Sequence, residues 1–265
     1  MPQTQKETAL ITGASSGIGH ELAKLFAQDK SDLVLVSRNA ERLGQIAREL
    51  EGKFGITVRI LPKDLANPTA PKEIFDTLKN EGIVVHALVN NAGVGVFGPF
   101  AETDLQQNLD MIAVNLTSLT ELAGLFLPEM IKQRRGRILN VASTAGFQPG
   151  PLMSVYYASK AFVVSFSEAL ANEVRGTGVT VSCLCPGPTE TNFQANARME
   201  RSKLFERAMH DAATVARVGY VGMLQGKPLI VPGFRNKLLL EVVRIAPRRL
   251  VPRVVRAMQE QRRKA

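Results

Sequence analysis

The sequence predicts an α/β fold: a doubly wound parallel sheet of about seven strands with helices on both faces, in one domain carrying a C-terminal helical extension. Three observations predict it. Short apolar runs alternate with longer helical patterns along most of the 265 residues. Most of these runs are continuously apolar, the mark of strands covered on both faces. A glycine-rich turn, Gly13 to Gly19, joins the first run to the first helical pattern.

The strand candidates are Thr8–Thr12, Asp32–Ser37, Thr57–Leu61, Val84–Asn90, Gly136–Ala142, Val179–Cys185 and Pro228–Val231. Helical patterns lie between them at 17–29, 40–51, 70–80, 102–132, 155–176 and 212–225. Strand–helix alternation of this kind closes into a parallel sheet. No repeat or low-complexity linker divides it. The segment 188–210 follows Pro186-Gly187-Pro188 and reads as a loop with a short helix or two, a candidate lid or an ordinary long connection.

Composition narrows the function classes. The hydrophobic fraction of 45% suits a globular chain. The two cysteines, Cys183 and Cys185, are too close to staple a fold and suit a buried strand, which points to a reducing, cytoplasmic location. His20, His86 and His210 are scattered and no zinc-type spacing occurs, so no metal is expected. The polar start Met1–Glu7 has no signal-like apolar stretch. No run approaches the ~20 uninterrupted apolar residues of a membrane-spanning helix. Residues 235–265 hold ten basic and two acidic side chains, a net +8 of the total +9. A near-neutral domain, 1–234, therefore carries a basic extension, 235–265. Without interleaved aromatics or a recognised module, that extension does not predict nucleic-acid binding.

The loop Gly13-Ala14-Ser15-Ser16-Gly17-Ile18-Gly19 is spaced Gly-x-x-x-Gly-x-Gly. Glycines allow a tight turn and a close approach of backbone to a pyrophosphate, and the next helix offers free N–H groups and a positive dipole end. No lysine follows the last glycine, which disfavours a nucleotide triphosphatase loop. The second strand ends in Ser37-Arg38-Asn39, where a NAD site usually carries an acid. A guanidinium there suits a 2′-phosphate, so NADP(H) is favoured over NAD(H). Tyr156 and Lys160 stand four apart, on one face of a helix. An ammonium held beside a phenol would lower the phenol's pKa and fit it for proton transfer. Alone, that pair is a weak signal. Ser143 alone could simply close a strand, and Asn115 could bond backbone inside its helix.

Taken in order, the glycine loop, Asn90-Asn91-Ala92-Gly93, Ser143 and Tyr156/Lys160 make residues 7–234 resemble the classical short-chain dehydrogenase/reductases, whose fold is Rossmann-like. The resemblance implies that Gly13, Ser15, Ser16, Gly17, Ile18 and Gly19 cradle the cofactor, with Ser37 and Arg38 at its ribose. It implies that Asp64 and Leu65 meet the adenine and that Asn91, Ala92 and Gly93 line the cofactor. Pro186, Gly187, Thr189 and Thr191 would contact the carboxamide of the nicotinamide. It implies a catalytic set of Asn115, Ser143, Tyr156 and Lys160: Ser143 and Tyr156 bind the substrate oxygen, Tyr156 exchanges its proton, Lys160 tunes Tyr156 and bonds the ribose, and Asn115 holds a water. Thr189 stands where the family often has valine or isoleucine. The expected reaction interconverts a ketone or aldehyde and an alcohol. A catalytically weak NADP(H)-binding sensor or scaffold is the alternative.

Val94, Val96, Phe97, Phe147, Leu152, Met153 and Phe193 are expected to wall the substrate pocket, favouring a hydrophobic carbonyl: steroid-like, acyl-derived or xenobiotic. The helical patterns at 102–132 and 155–176 resemble the family's dimer helices, so a homodimer or homotetramer is expected. In the extension, Lys237–Ala246 is largely apolar, Pro247 and Pro252 interrupt it, and basic and apolar residues alternate beyond. Either it packs over the substrate entrance or on a subunit, the slightly favoured reading, or it lies on an anionic membrane.

Overall fold

The computed structural model describes residues 6–191, Phe193 and residues 210–260. Seven parallel strands form one sheet: β1 (Thr8–Thr12), β2 (Asp32–Ser37), β3 (Val58–Pro62), β4 (Ala87–Asn90), β5 (Gly136–Val141), β6 (Val179–Leu184) and β9 (Leu229–Ile230), ordered β3-β2-β1-β4-β5-β6-β9. The expected doubly wound sheet is what the chain builds. A two-stranded parallel pair was not anticipated: β7 (Thr189–Glu190) with β8 (His210–Asp211). Two-residue strands carry no periodic signal. Most of the expected lid, 188–210, lies outside the described residues.

The continuous apolar runs have a two-sided explanation. Ala9 and Ile11 of β1 and Leu33 and Leu35 of β2 pack on one side, with α1 (Gly17–Gln28), α2 (Ala40–Phe54) and α7 (Ala212–Leu224). Leu10, Val34 and Val36 point to the other side, against α3 (Ala70–Asn80), α5 (Ser118–Lys132) and α6 (Ser154–Glu173). Successive side chains alternate across a strand, so both faces must be apolar when both are covered.

The helix expected at 102–132 is not uniform. It comprises α4 (Leu105–Ile112), a π turn at Ala113–Thr117 and α5. Leu105–Lys132 is long and apolar enough for a membrane span, with mean hydropathy 1.4 over its most apolar 18 residues. Its buried residues Met111, Leu119, Leu122, Phe126 and Met130 nevertheless pack into the domain core.

From β1 the chain runs outward to β2 and β3, then returns to β4 on the opposite side of β1. That reversal opens a crevice at the carboxyl ends of β1 and β4, the usual ligand position in such sheets. The extension forms α8 (Phe234–Ile245) and α9 (Val251–Gln259). Val251 and Val255 of α9 are buried with Ala145, Met153 and Tyr157. Each buried valine contributes roughly 1.5–3 kcal/mol. The packing reading of the extension therefore describes its inner face.

Candidate active site

The crevice is a cleft of about 930 Å³. Its walls include Gly13, Ser15, Ser16, Gly17 and Ile18 from the glycine turn, Ser37 and Arg38 from the end of β2, and Asp64 and Leu65 beyond β3. Asn91, Ala92 and Gly93 follow from β4, then Ser143, Tyr156 and Lys160, and Pro186, Gly187, Thr189 and Thr191 beyond β6. Two expected site residues stand behind the wall: Gly19, buried against Asn91, and Asn115.

The glycine turn is held by its neighbours. Gly13 has φ +66°, and a Cβ there would stand 2.8 Å from Asn91 Nδ2 and 2.9 Å from Ala92 Cα. Gly17 has φ +55° and faces the Thr191 side chain, 2.9 Å from where a Cβ would stand. Both demands exclude ordinary side chains. Asn91 Nδ2 donates to the carbonyls of Thr12 (2.9 Å) and Gly13 (3.2 Å), tying the end of β4 to the turn. Thr12 completes the clasp: its Oγ1 accepts from the N–H groups of Asn91 and Ala92, both at 3.0 Å, and donates to the Val89 carbonyl at 3.2 Å. Sequence reasoning did not assign Thr12; its one signal was a hydroxyl at the strand end directly before Gly13. Below it, Asn90 Nδ2 donates to Asn140 Oδ1 (3.0 Å), and Asn140 Nδ2 to Ser167 Oγ (2.9 Å). That buried chain joins β4, β5 and α6.

The residues present fit a nicotinamide dinucleotide. Ser16 caps α1 without a side-chain hydrogen bond to the first turn, so the first-turn N–H groups face the cleft as anion donors. Ser37 Oγ is buried and has no hydrogen-bond partner among the described residues, a polar atom suited to a ribose or phosphate oxygen. Arg38 beside it is exposed and makes no ion pair among the described residues. The Asp64 carboxylate accepts from Ala66 N at 3.0 Å, which fixes its turn.

At the far end of the cleft, Ser143 Oγ accepts from Ala145 N (3.1 Å) and donates to the Pro186 carbonyl (3.3 Å), and it shares the cleft wall with Tyr156. Lys160 Nζ donates to the Val141 carbonyl at 2.9 Å and lies 5.8 Å from the centre of the Tyr156 ring. Asn115 is 1% exposed inside the π turn. Its Oδ1 accepts from Val94 N (2.9 Å), and its Nδ2 donates to the Val94 carbonyl and to Ser159 Oγ, both at 3.0 Å. A π turn is a frequent functional device in helices. Asn115 Oδ1 and Lys160 Nζ both converge on Gly93, within 3.5 and 3.3 Å of where its Cβ would stand.

One electrostatic expectation is corrected. Lys160 does not lower the Tyr156 pKa here. Burial drives it well up, outweighing the opposing influence of Ser143. Burial also lowers Lys160, from 10.5 to about 8, against the raising influence of Cys183 and Cys185. Both groups are desolvated together, and each loses preference for its charged form.

The apolar wall is also partly corrected. Val94, Met153 and Phe193 line the cleft, and the Phe193 ring lies 5.2 Å from that of Tyr156. Val96, Phe97, Phe147 and Leu152 do not; Phe147 turns into a separate cluster with Leu119 and Val163. Phe234, the last residue of the domain, and Leu239 and Met258 of the extension take their place. Asn236 lies against Gly187, and Gln259 Nε2 donates to the Tyr157 hydroxyl at 2.5 Å. Nothing local in the sequence pairs residue 259 with residue 157, so these roles had no signal.

A family model described as short chain dehydrogenase matches residues 7–202. A very-long-chain 3-oxoacyl-CoA reductase from Anas platyrhynchos is 33% identical over 221 residues, 81% of this chain and 69% of the relative. The 17-beta-hydroxysteroid dehydrogenase type 3 of Mus musculus is 33% identical over 215 residues, 80% of this chain and 69% of the relative. A solved short-chain dehydrogenase from Sphingobium yanoikuyae in complex with NADPH superposes with TM-score 0.82 at 29% identity, over 98% of each chain. With its glycine-clasped cleft and a matching model over most of its length, the chain belongs to the short-chain dehydrogenase family.

Proposed function

We propose that this oxidoreductase uses NADP(H) to interconvert a hydrophobic ketone or aldehyde and its alcohol. The observation that carries the reading is that Ser143, Tyr156 and Lys160 converge on one cleft, with Lys160 one turn along the same helix from Tyr156. The dinucleotide, when bound, supplies or accepts the hydride. Ser143 donates to the substrate oxygen and steadies charge developing there. Tyr156, kept protonated by its burial, gives that oxygen its proton in the reductive direction. Lys160 holds the sugar next to the nicotinamide, and Asn115 anchors the Val94 backbone and the proton path behind Gly93. Arg38, exposed at the end of β2, supports NADP(H) over NAD(H) through its fork of donors.

The apolar groups Val94, Met153, Phe193, Leu239 and Met258 around Tyr156 support a hydrophobic substrate. The similarity to an acyl-CoA reductase and a hydroxysteroid dehydrogenase points the same way. A homodimer or homotetramer forms through exposed apolar residues such as Leu105 and Leu109 of α4 and Phe162 of α6. The free, buried Cys183 and Cys185 suit a reducing cytoplasmic location.

The test is NADPH consumption against a panel of apolar ketones, with calorimetric titration of NADPH and NADH. Tyr156→Phe should lower turnover roughly 10²–10⁴-fold with NADPH affinity kept. Arg38→Ala should weaken NADPH selectively over NADH. Full activity in Tyr156→Phe would refute the assignment, and tight NADPH binding without turnover on any ketone would indicate a sensor or scaffold.

A further inference from the structure

Helices α8 and α9 have two unlike faces. The inner face closes the substrate end of the cleft through Asn236, Val243, Val251, Val255, Met258 and Gln259. The outer face is apolar and open. Phe234, Leu238, Val242 and Ile245 recur at intervals of four, four and three, a single stripe on α8. They are 79%, 54%, 50% and 83% exposed. Beyond Pro247, Leu250 and Val254 are exposed as well, at 51% and 59%.

Seven Lys and Arg side chains between Arg235 and Arg256 surround it, all exposed. Among the described residues, one of them, Arg256, has a carboxylate partner, Glu260 at 3.4 Å. Glu241, the one acid of α8, sits beside the stripe. A stripe this exposed marks an interaction site in a water-soluble chain. The question is what covers it.

Charge selects the occupant. With two acids against seven bases, Phe234–Glu260 carries +5. A second copy docked face to face across a two-fold axis would set +5 against +5, a repulsive arrangement. A nucleic acid would satisfy the bases and leave the leucine and valine side chains in water. An anionic lipid surface satisfies both: apolar side chains enter the acyl boundary while the bases stay among negative headgroups. We propose that the outer face of α8–α9 docks this protein on an anionic bilayer. Phe234 and Leu239 also line the cleft, so docking sets the cleft mouth at the lipid surface, where an apolar carbonyl is concentrated. That last consequence rests on the hydrophobic-substrate reading; the docking does not.

The experiment is vesicle co-sedimentation of the full chain. Vesicles of phosphatidylcholine alone are compared with phosphatidylcholine containing phosphatidylserine, at low and high salt. Binding should require phosphatidylserine and weaken as salt rises. Leu238→Asp with Val242→Asp should weaken it at least about tenfold, since each apolar side chain withheld from lipid is worth that much. Both positions lie outside the cleft, so melting temperature, NADPH affinity and turnover without vesicles should stay at wild-type values. Three results would overturn the proposal: no sedimentation with phosphatidylserine vesicles, a double variant that still binds them as tightly as the wild type, or a double variant that changes the oligomer mass by light scattering while lipid binding is absent in both proteins. If turnover on apolar ketones fails while vesicle binding holds, the fault lies with the substrate reading.

Discussion

Thr12→Val isolates the clasp that positions the glycine turn. Valine keeps the shape of threonine but not its hydroxyl, and that exchange is not neutral when the hydroxyl is used. Thr12 is 1% exposed and its Oγ1 makes three hydrogen bonds, two accepted at 3.0 Å and one donated at 3.2 Å. The substitution leaves the N–H groups of Asn91 and Ala92 facing a methyl group. An orphaned buried donor costs about 1–3 kcal/mol. Both N–H groups are only half-buried, so the lower part of that range applies to each, and the sum is about 2–4 kcal/mol. Thr12→Ser keeps the hydroxyl and loses one methyl group, at about 1 kcal/mol. Urea unfolding followed by circular dichroism measures both variants. The turn also loses its hold on Asn91, so the valine variant should raise KM for NADPH more than it lowers kcat. A valine variant no less stable than the serine variant would refute the clasp.

Two further outcomes are expected. Tyr157→Phe and Gln259→Leu should each destabilise the fold, and their double-mutant cycle should show coupling of about 1 kcal/mol; strict additivity would mean that the 2.5 Å contact does not hold α9 over the cleft. Lys160→Met should remove a pH dependence. Burial lowers Lys160 from 10.5 to about 8, so between those values the unfolded chain binds more protons than the folded one. Stability then rises with pH, and the penalty is fully present below about 8. From pH 7 to 9 the wild type should gain about 1 kcal/mol relative to Lys160→Met; equal slopes in the two proteins would show that Lys160 is not desolvated.

The sheet was legible because its causes are local and periodic. Strands buried on both faces write continuous apolar runs, and the turn at Gly13–Gly19 needs backbone angles that other residues resist. The spacing of Tyr156 and Lys160 likewise placed them on one helix. Other features were not legible because they depend on distant partners. Thr12 acquires its function when β4 arrives beside β1. The π turn at Ala113–Thr117 leaves the apolar pattern of its helix unbroken.

By itself, then, the sequence determined the fold class, the cleft-forming turn and the residues gathered at its floor, since short-range pattern encodes each of these. Tertiary structure decided the electrostatics and the seating of the extension. Burial is a property of the assembled chain, and it outweighs the opposing influence of Ser143 in setting Tyr156. The extension's contacts span a hundred residues, and its inner and outer faces became distinct only when α9 seated Val251, Val255 and Gln259 against the cleft wall.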